Sequence, residues 1–446
     1  MFDVVDHVLE LVTARGAGEV EVYAERAVSR RVKVFGGEVE QLVAARRRGV
    51  GVRVVRDGAV GYASTSDLDP GGLEEVAARA AALAAVADPD PLRALPEVVG
   101  PPAAVTPYDP RLSRADDARR IELALSVEAA ALAADPRVTT VEDTVYVDGE
   151  TEVFLASTTG VRGSYRANQC YAFAYVLAEQ HGRVETGVSY TVGRALEDLD
   201  GPGCGAEAAA RACRLLGARP CPSMRATVVL DPFVAAAVVG VLAAALSAEA
   251  VQKGRSLFAG REGETLADPI FTLLDDGTRA DGLASAPFDG EGTPSQRTPL
   301  IEGGVLRSFL HDSYTAQKAG VASTGNGLRG SYQGPPAVHP SNLVVSGPAV
   351  SRDDLVASVE RGMLVTDAVG VHSGANPISG EFSVGVSGVL IERGRLTSPV
   401  REVTLAGDLV AMLRAVRALG DDARWVPTGS VLTPSLAIEG MTVSGA

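Results

Sequence analysis

Residues 19–64 read EVEVYAERAVSRRVKVFGGEVEQLVAARRRGVGVRVVRDGAVGYAS. Val20, Val22 and Ala24 alternate with Glu19, Glu21 and Tyr23; Val32 and Val34 alternate with Arg31, Lys33 and Phe35. A period of two puts successive side chains on opposite faces of a strand. Gly36-Gly37 and Asp57-Gly58 supply the residues that tight hairpins need. The stretch predicts an antiparallel meander. With it comes an α+β fold, helices packed on mostly antiparallel twisted sheet.

Working outward, Val4, Val5, Val8, Leu11 and Val12 recur at helical spacing over 3–15, and Gly16 and Gly18 end that helix. Residues 72–87 are Ala-rich and predicted helical. Seven of the 25 prolines fall in 88–110. Proline fixes φ and removes a donor, so this stretch reads as an extended connector. Ser113 is expected to open a helix with Asp116 in its first turn. Strands alternate again over 138–192, a helix covers 205–216, and Pro220 and Pro222 mark a boundary.

The second half opens with a strand at 226–230. Asp231-Pro232, an N-cap followed by Pro at the first helical position, starts a buried helix expected to run to about 250. Short strands with Gly- and Asp-rich turns follow, with helices expected at 352–363 and 404–417. No βαβ repeat suggests a parallel sheet. The division is 1–87, the connector 88–110, 111–221 and 222–446.

The 446 residues are 46 % hydrophobic and 22 % charged, an ordinary globular balance. A net charge of −15 disfavours contact with a phosphate backbone, so no direct nucleic-acid partner is expected. The dense basic run Arg46-Arg47-Arg48 reads as a solvated strand face. Four cysteines without a CxxC pair fit a reducing compartment. The N-terminus lacks the features of a signal peptide, and the longest apolar run, Val234–Leu246, is too short to span a bilayer. A cytoplasmic protein without membrane contact is expected.

The five histidines His7, His181, His311, His339 and His372 lie at no metal-binding spacing, and there is no HExxH. Neither a phosphate-cradling loop nor a GxSxG elbow occurs. Ser379-Gly380-Glu381-Phe382-Ser383 suggests a serine site, but no base accompanies it and turn chemistry explains it better.

Two groups of residues are specific as strings. One is Val251–Glu264, VQKGRSLFAGREGE. The other combines Tyr314–Lys318 and Ser323-Thr324-Gly325-Asn326 with Gly374-Ala375-Asn376-Pro377-Ile378-Ser379-Gly380-Glu381-Phe382-Ser383. With Glu392–Leu396, Pro399-Val400 and Thr404–Leu409, they resemble the TldD/PmbA family along essentially the whole chain, most strongly over 225–445. Members of one branch, TldD, carry HExxxH on the helix before the Lys-Gly stretch. The two His of that motif bind zinc, and the Glu is the general base. In register with Lys253-Gly254, those positions here hold Val239, Gly240 and Ala244. No His or Cys lies between 222 and 310 to restore the motif.

The chain therefore resembles the TldE (PmbA) branch. The resemblance implies a non-catalytic subunit with no metal or cofactor of its own. It would pair with a TldD-like HExxxH subunit holding zinc, or form a homodimer when isolated, around a cavity admitting unfolded peptides. Thr324, Asn326, His372, Asn376, Glu381 and Ser383 are candidate cavity residues. The competing readings are a stand-alone enzyme using Glu381 or His372 as acid or base, or a regulator binding gyrase or an antitoxin. Val239 and Ala244 are expected to be buried, the small face packing closely against its neighbours.

Overall fold

The computed structural model describes residues 1–97 and 100–445. Val98 and Val99 of the expected connector, and Ala446 of the last segment, lie outside the described residues. The first half contains α1 (Phe2–Thr13), β1 (Glu19–Phe35), β2 (Glu38–Arg56), β3 (Ala59–Thr65), α2 (Pro70–Val86), α3 (Pro110–Arg114) and α4 (Asp117–Ala134). It continues with β4 (Val138–Ser157), β5 (Arg162–Gln180), β6 (Arg183–Gly193) and α5 (Gly201–Leu215).

These strands form one antiparallel sheet in the order β3-β2-β1-β4-β5-β6. The meander expected over 19–64 is β1 to β3. The strands of 138–192 extend the same sheet, because β4 pairs with β1 from Glu21↔Ser157 to Val34↔Thr144. Helices cover one face: Val5, Val8 and Val12 of α1 and Val76 and Ala80 of α2 bury against β1 and β2, and α4 and α5 bury against β4 and β5. On the other face, Tyr23, Val153 and Leu155 meet Phe288 and Tyr332 of the second half. Ser113 lies inside the short α3; the long helix begins after Asp116, whose side chain accepts from the Arg119 amide at 2.9 Å. Within the connector, Gly58 O accepts from Asp90 N, and Pro107 O from Asn168 N, strapping it to the sheet.

The second half contains β7 (Met224–Leu230), α6 (Pro232–Ala245), α7 (Ala248–Gln252), β8 (Thr272–Asp276), β9 (Arg297–Glu302), β10 (Val305–Leu306) and α8 (Ser313–Ala319). Then come β11 (Gly327–Leu328), β12 (Ala337–Val338), β13 (Leu343–Ser346), β14 (Ala349–Val350), α9 (Arg352–Ala357), β15 (Arg361–Val369) and α10 (Val371–Gly374). The chain closes with β16 (Glu381–Glu392), β17 (Arg395–Asp408), α11 (Leu409–Arg414), β18 (Val416–Gly420), β19 (Arg424–Val426), β20 (Val431–Thr433) and β21 (Leu436–Ser444).

A seven-stranded sheet runs β14-β18-β21-β17-β16-β15-β7, and β7 also pairs with β21, so five of its strands close into a ring. A second sheet runs β10-β9-β8-β13-β20-β19. Most pairings are antiparallel; β7–β15, β13–β20 and β14–β18 are parallel. The fold is α+β. Among the described residues no helix is long and apolar enough to cross a membrane.

Three expected helices are shorter. The helix at 352–363 stops at Ala357, because 361–369 is strand β15. A Cβ at Gly362 would sit 2.2 Å from Thr227 O, so glycine there permits the close approach of β7. Thr404–Asp408 ends strand β17, and only Leu409–Arg414 is helical. The helix expected to reach 250 stops at Ala245; Ser247 bridges to Leu310 before α7 begins.

Candidate functional site

The helix α6 is the centre of the largest buried cluster. Its start is fixed by charge. Asp231 is buried; its Oδ1 accepts from the Phe233 amide at 3.2 Å and from Arg211 at 2.8 Å, and its Oδ2 from Arg352 at 3.2 Å. An anion at a helix N-terminus is favoured by the orphan amides there, and two guanidiniums compensate its burial. Val234, Ala235, Val239, Leu242 and Ala245 then bury against the sheets.

Gly240 and Ala244 do not. Both are exposed, as neighbours one turn apart on one face of α6. The expectation that Ala244 would be buried fails; Val239, at 1 % exposure, is buried as expected. A Cβ placed on Gly240 meets nothing within 4 Å. The reason is that small side chains leave the helix surface low, and the neighbouring elements do not close over it.

Ala237, Gly240 and Ala244 form a ridge shared by two cavities of about 560 Å³ and 480 Å³. The larger is walled by Tyr190, Phe233, Leu310, Leu343, Val426 and His339, and the smaller by Val371, His372, Ala375 and Pro377. Together they make a largely apolar groove across α6, with His339 on one side and His372 on the other. This shape and lining suit an extended chain of mixed side chains.

The sequence candidates separate into two places. Asn326 is fully buried, and its amide donates to Asp275 Oδ2 at 2.7 Å and to His339 O at 3.0 Å; His339 N donates back to Asn326 O at 3.0 Å. Thr324 Oγ1 accepts from His311 N and donates to Asn326 Oδ1, each at 2.7 Å. The pair thus stands behind the groove wall and positions the His339 backbone. Burial raises the Asp275 carboxyl to about 6, against the pull of Asn326 and Ser341.

On the other side, His372 lines the smaller cavity. Asn376 is exposed, and its Oδ1 accepts from the amides of Ile378 and Ser379 at 2.8 and 3.3 Å, an Asx turn. Glu381 and Ser383 are exposed at the start of β16. None of Thr324, Asn326, Asn376, Glu381 or Ser383 lines the two cavities. Tyr190, Phe233 and His339 line the groove but were not singled out from sequence. They come from three separated segments, and no local pattern marks them.

Zinc chemistry can be tested against the residues. Val239 carries only methyl groups and points into the core; Gly240 has no side chain and Ala244 one methyl. None offers a lone pair, so these positions do not fit the metal. Nor do three or more His, Cys, Asp or Glu among the described residues gather to hold one.

Comparisons with known proteins complete the site's description. Residues 223–445 match the PmbA/TldA metallopeptidase C-terminal domain, 110–216 the central domain and 20–84 domain 1 of the same family. The chain is 29 % identical to Metalloprotease PmbA of Escherichia coli O157:H7, covering 98 % of this chain and 96 % of that one. It is 30 % identical to a Metalloprotease TldD homolog of Haemophilus influenzae, covering 89 % and 87 %. The crystal structure of TldE from Thermococcus kodakarensis superposes with a TM-score of 0.91 at 22 % identity, over 99 % of this chain and all (100 %) of that one. That likeness is one of fold.

Proposed function

This chain belongs to the PmbA/TldD metallopeptidase family, and from that premise we propose that it is a non-catalytic, TldE-like subunit of a cytoplasmic zinc metallopeptidase. Its partner is a homologous subunit that carries HExxxH and the metal, and its substrates are unfolded peptides. One observation carries the reading. The face of α6 that would bear the motif bears Val239, Gly240 and Ala244, yet Gly240 and Ala244 remain open to a groove. Identity does not choose between branches, since PmbA and TldD relatives match almost equally; the inert side chains at these three positions support the TldE-like one.

The division of labour follows. Without ligands or a water-activating carboxylate on α6, this chain supplies shape. The groove takes an extended peptide through apolar walls, and a folded domain is too wide to enter. Three of the four cysteines, Cys170, Cys204 and Cys221, are buried as free thiols, which supports a reducing compartment.

The test is to purify the chain alone and with an HExxxH homologue from the same source. Zinc content and cleavage of an unstructured casein peptide are measured in both. The expected result is stoichiometric zinc and chelator-sensitive cleavage only with the partner. Stoichiometric zinc and cleavage by the chain alone would overturn the reading.

A further inference from the structure

Two of the distinctive strings, Val251–Glu264 and Tyr314–Lys318, meet in space. Gln252, at the end of α7, donates its side-chain amide to the Thr315 carbonyl in α8 at 2.7 Å. Gln252 and Lys253 of one string, with Tyr314 and Lys318 of the other, line a third cavity of about 310 Å³. Val55 of β2 and Val60 of β3 close it from the first sheet, and Arg93 from the connector. The volume stands at the lower end of small-molecule sites, with room for a molecule the size of a dipeptide.

Some of the charges here are matched. Lys253 Nζ lies 2.6 Å from Glu249, and Glu291 takes Arg53 and the Ser313 hydroxyl. Arg93 and Lys318 are not matched. Both lie against the Tyr314 ring, Arg93 Cζ at 4.5 Å and Lys318 Nζ at 5.8 Å from its centre, and neither has an ion pair among the described residues. Asp90 accepts from the Tyr314 hydroxyl at 2.7 Å, which keeps a negative charge near the two cations.

Two acceptors are also open. Asp312 Oδ1 takes the Thr315 amide and hydroxyl at 2.8 and 2.7 Å, and Gln252 gives its NH2 to Thr315 O. Asp312 Oδ2 and Gln252 Oε1 have no donor among the described residues. Burial pushes the Asp312 carboxyl up, so its charged form gains from a cation brought beside it.

The cavity thus offers cationic donors and an anionic acceptor, with Val55, Val60 and Val338 as apolar surface between. With Asp90 and Asp312 beside Arg93 and Lys318, the unmatched charges cancel. That balance disfavours a dianion such as phosphate and favours a ligand neutral overall but charged at both ends. We propose that the cavity binds a small zwitterion with a free α-ammonium and a free carboxylate. The ammonium meets Asp312 and Gln252, the carboxylate meets Arg93 and Lys318, and an apolar side chain rests on the valines. A free amino acid and a dipeptide share that chemistry. Of the lining residues only Val338 also lines the groove, and neither zinc nor cleavage enters, so binding here stands apart from the peptidase reading.

Isothermal titration calorimetry of the purified chain tests this with L-leucine and L-leucyl-L-leucine, each also as its N-acetyl and C-amide derivative. At least one uncapped probe should bind, and the tighter of the two identifies the source. Capping either end of it should weaken binding about tenfold or more. Arg93→Gln and Lys318→Gln change exposed side chains. Each should weaken the uncapped probe about tenfold and leave the amide unchanged. Asp312→Asn keeps an oxygen for the Thr315 amide; it should weaken the uncapped probe and leave the N-acetyl derivative unchanged. Melting curves establish that each variant is folded, and the Arg93 and Lys318 variants decide the matter should Asp312→Asn unfold. No binding of either uncapped probe at a few millimolar would overturn the proposal. So would binding indifferent to capping, variants that weaken capped and uncapped probes alike, or inorganic phosphate binding more tightly than both.

Discussion

Arg53 of the first sheet donates to Glu291 of the second half at 2.9 Å, with both side chains almost wholly out of solvent. The same guanidinium reaches Glu21 at 2.7 Å, and Glu21 also takes Arg329. Glu291 in turn accepts from the amide and hydroxyl of Ser313. One buried cation therefore joins the two halves of the molecule. Removing it leaves two carboxylates without their shared partner. Arg53→Gln is expected to cost about 3–5 kcal/mol, the usual range for breaking a buried pair. Urea unfolding checks this; a loss under about 1 kcal/mol would show that water replaces the guanidinium.

The Asp275 carboxyl predicts a pH dependence. Burial holds its pKa at about 6, above the 3.8 of an open chain. Between those values the folded state binds the proton and the unfolded state does not. Stability from this group is therefore full below the lower value and falls as pH rises to the upper one, by about 2–3 kcal/mol. Asp275→Asn cannot lose a proton, so the variant's melting temperature should fall less than the native chain's from pH 4 to pH 7. Parallel curves would refute the assignment.

Glu21 and Arg53 show what the sequence could and could not tell. Alternation in 19–64 located the strands and their turns, because period two is a local property. It set Glu21 on the face opposite Val20 and Val22, and a charged residue on a strand face ordinarily meets solvent. Here the face is covered by Phe288 and Tyr332, and its charges become a buried network. Nothing local encodes that covering. The stretch 404–417 failed for a related reason. Leu405, Leu409, Val410 and Met412 fit a helical stripe, but the ladder between β16 and β17 holds Thr404–Asp408 extended. In the site, the sequence showed that Val239, Gly240 and Ala244 of α6 carry no ligating side chain. Hydropathy could not reveal that Gly240 and Ala244 face open space, since an apolar run looks alike beside a core and beside a groove.

That exposure gives opposite signs at adjacent residues. Gly240 has helical backbone conformation and an empty surrounding, so Gly240→Ala should stabilise by about 0.5–1 kcal/mol through helix propensity. Val239→His places an imidazole in the core without a partner and should cost about 1–3 kcal/mol. Thermal unfolding of the two single variants measures both. A destabilised Gly240→Ala would mean that the groove floor is closed by something else.

The groove itself is open to a steric test that separates shape from assembly. Ala244 sits exposed on the ridge between the two cavities. An indole there would fill much of the narrow space over α6 without entering the core, so folding should hold. If this chain contributes walls to the peptide channel, Ala244→Trp should lower casein-peptide cleavage by the complex with an HExxxH partner about tenfold or more, a barrier increase near 1.4 kcal/mol. Zinc content and co-elution of the two subunits should stay unchanged. KM should rise more than kcat falls, because the substitution obstructs ground-state and transition-state binding alike. Unaltered cleavage, with the complex intact, would remove the groove from the substrate path and leave this subunit a scaffold.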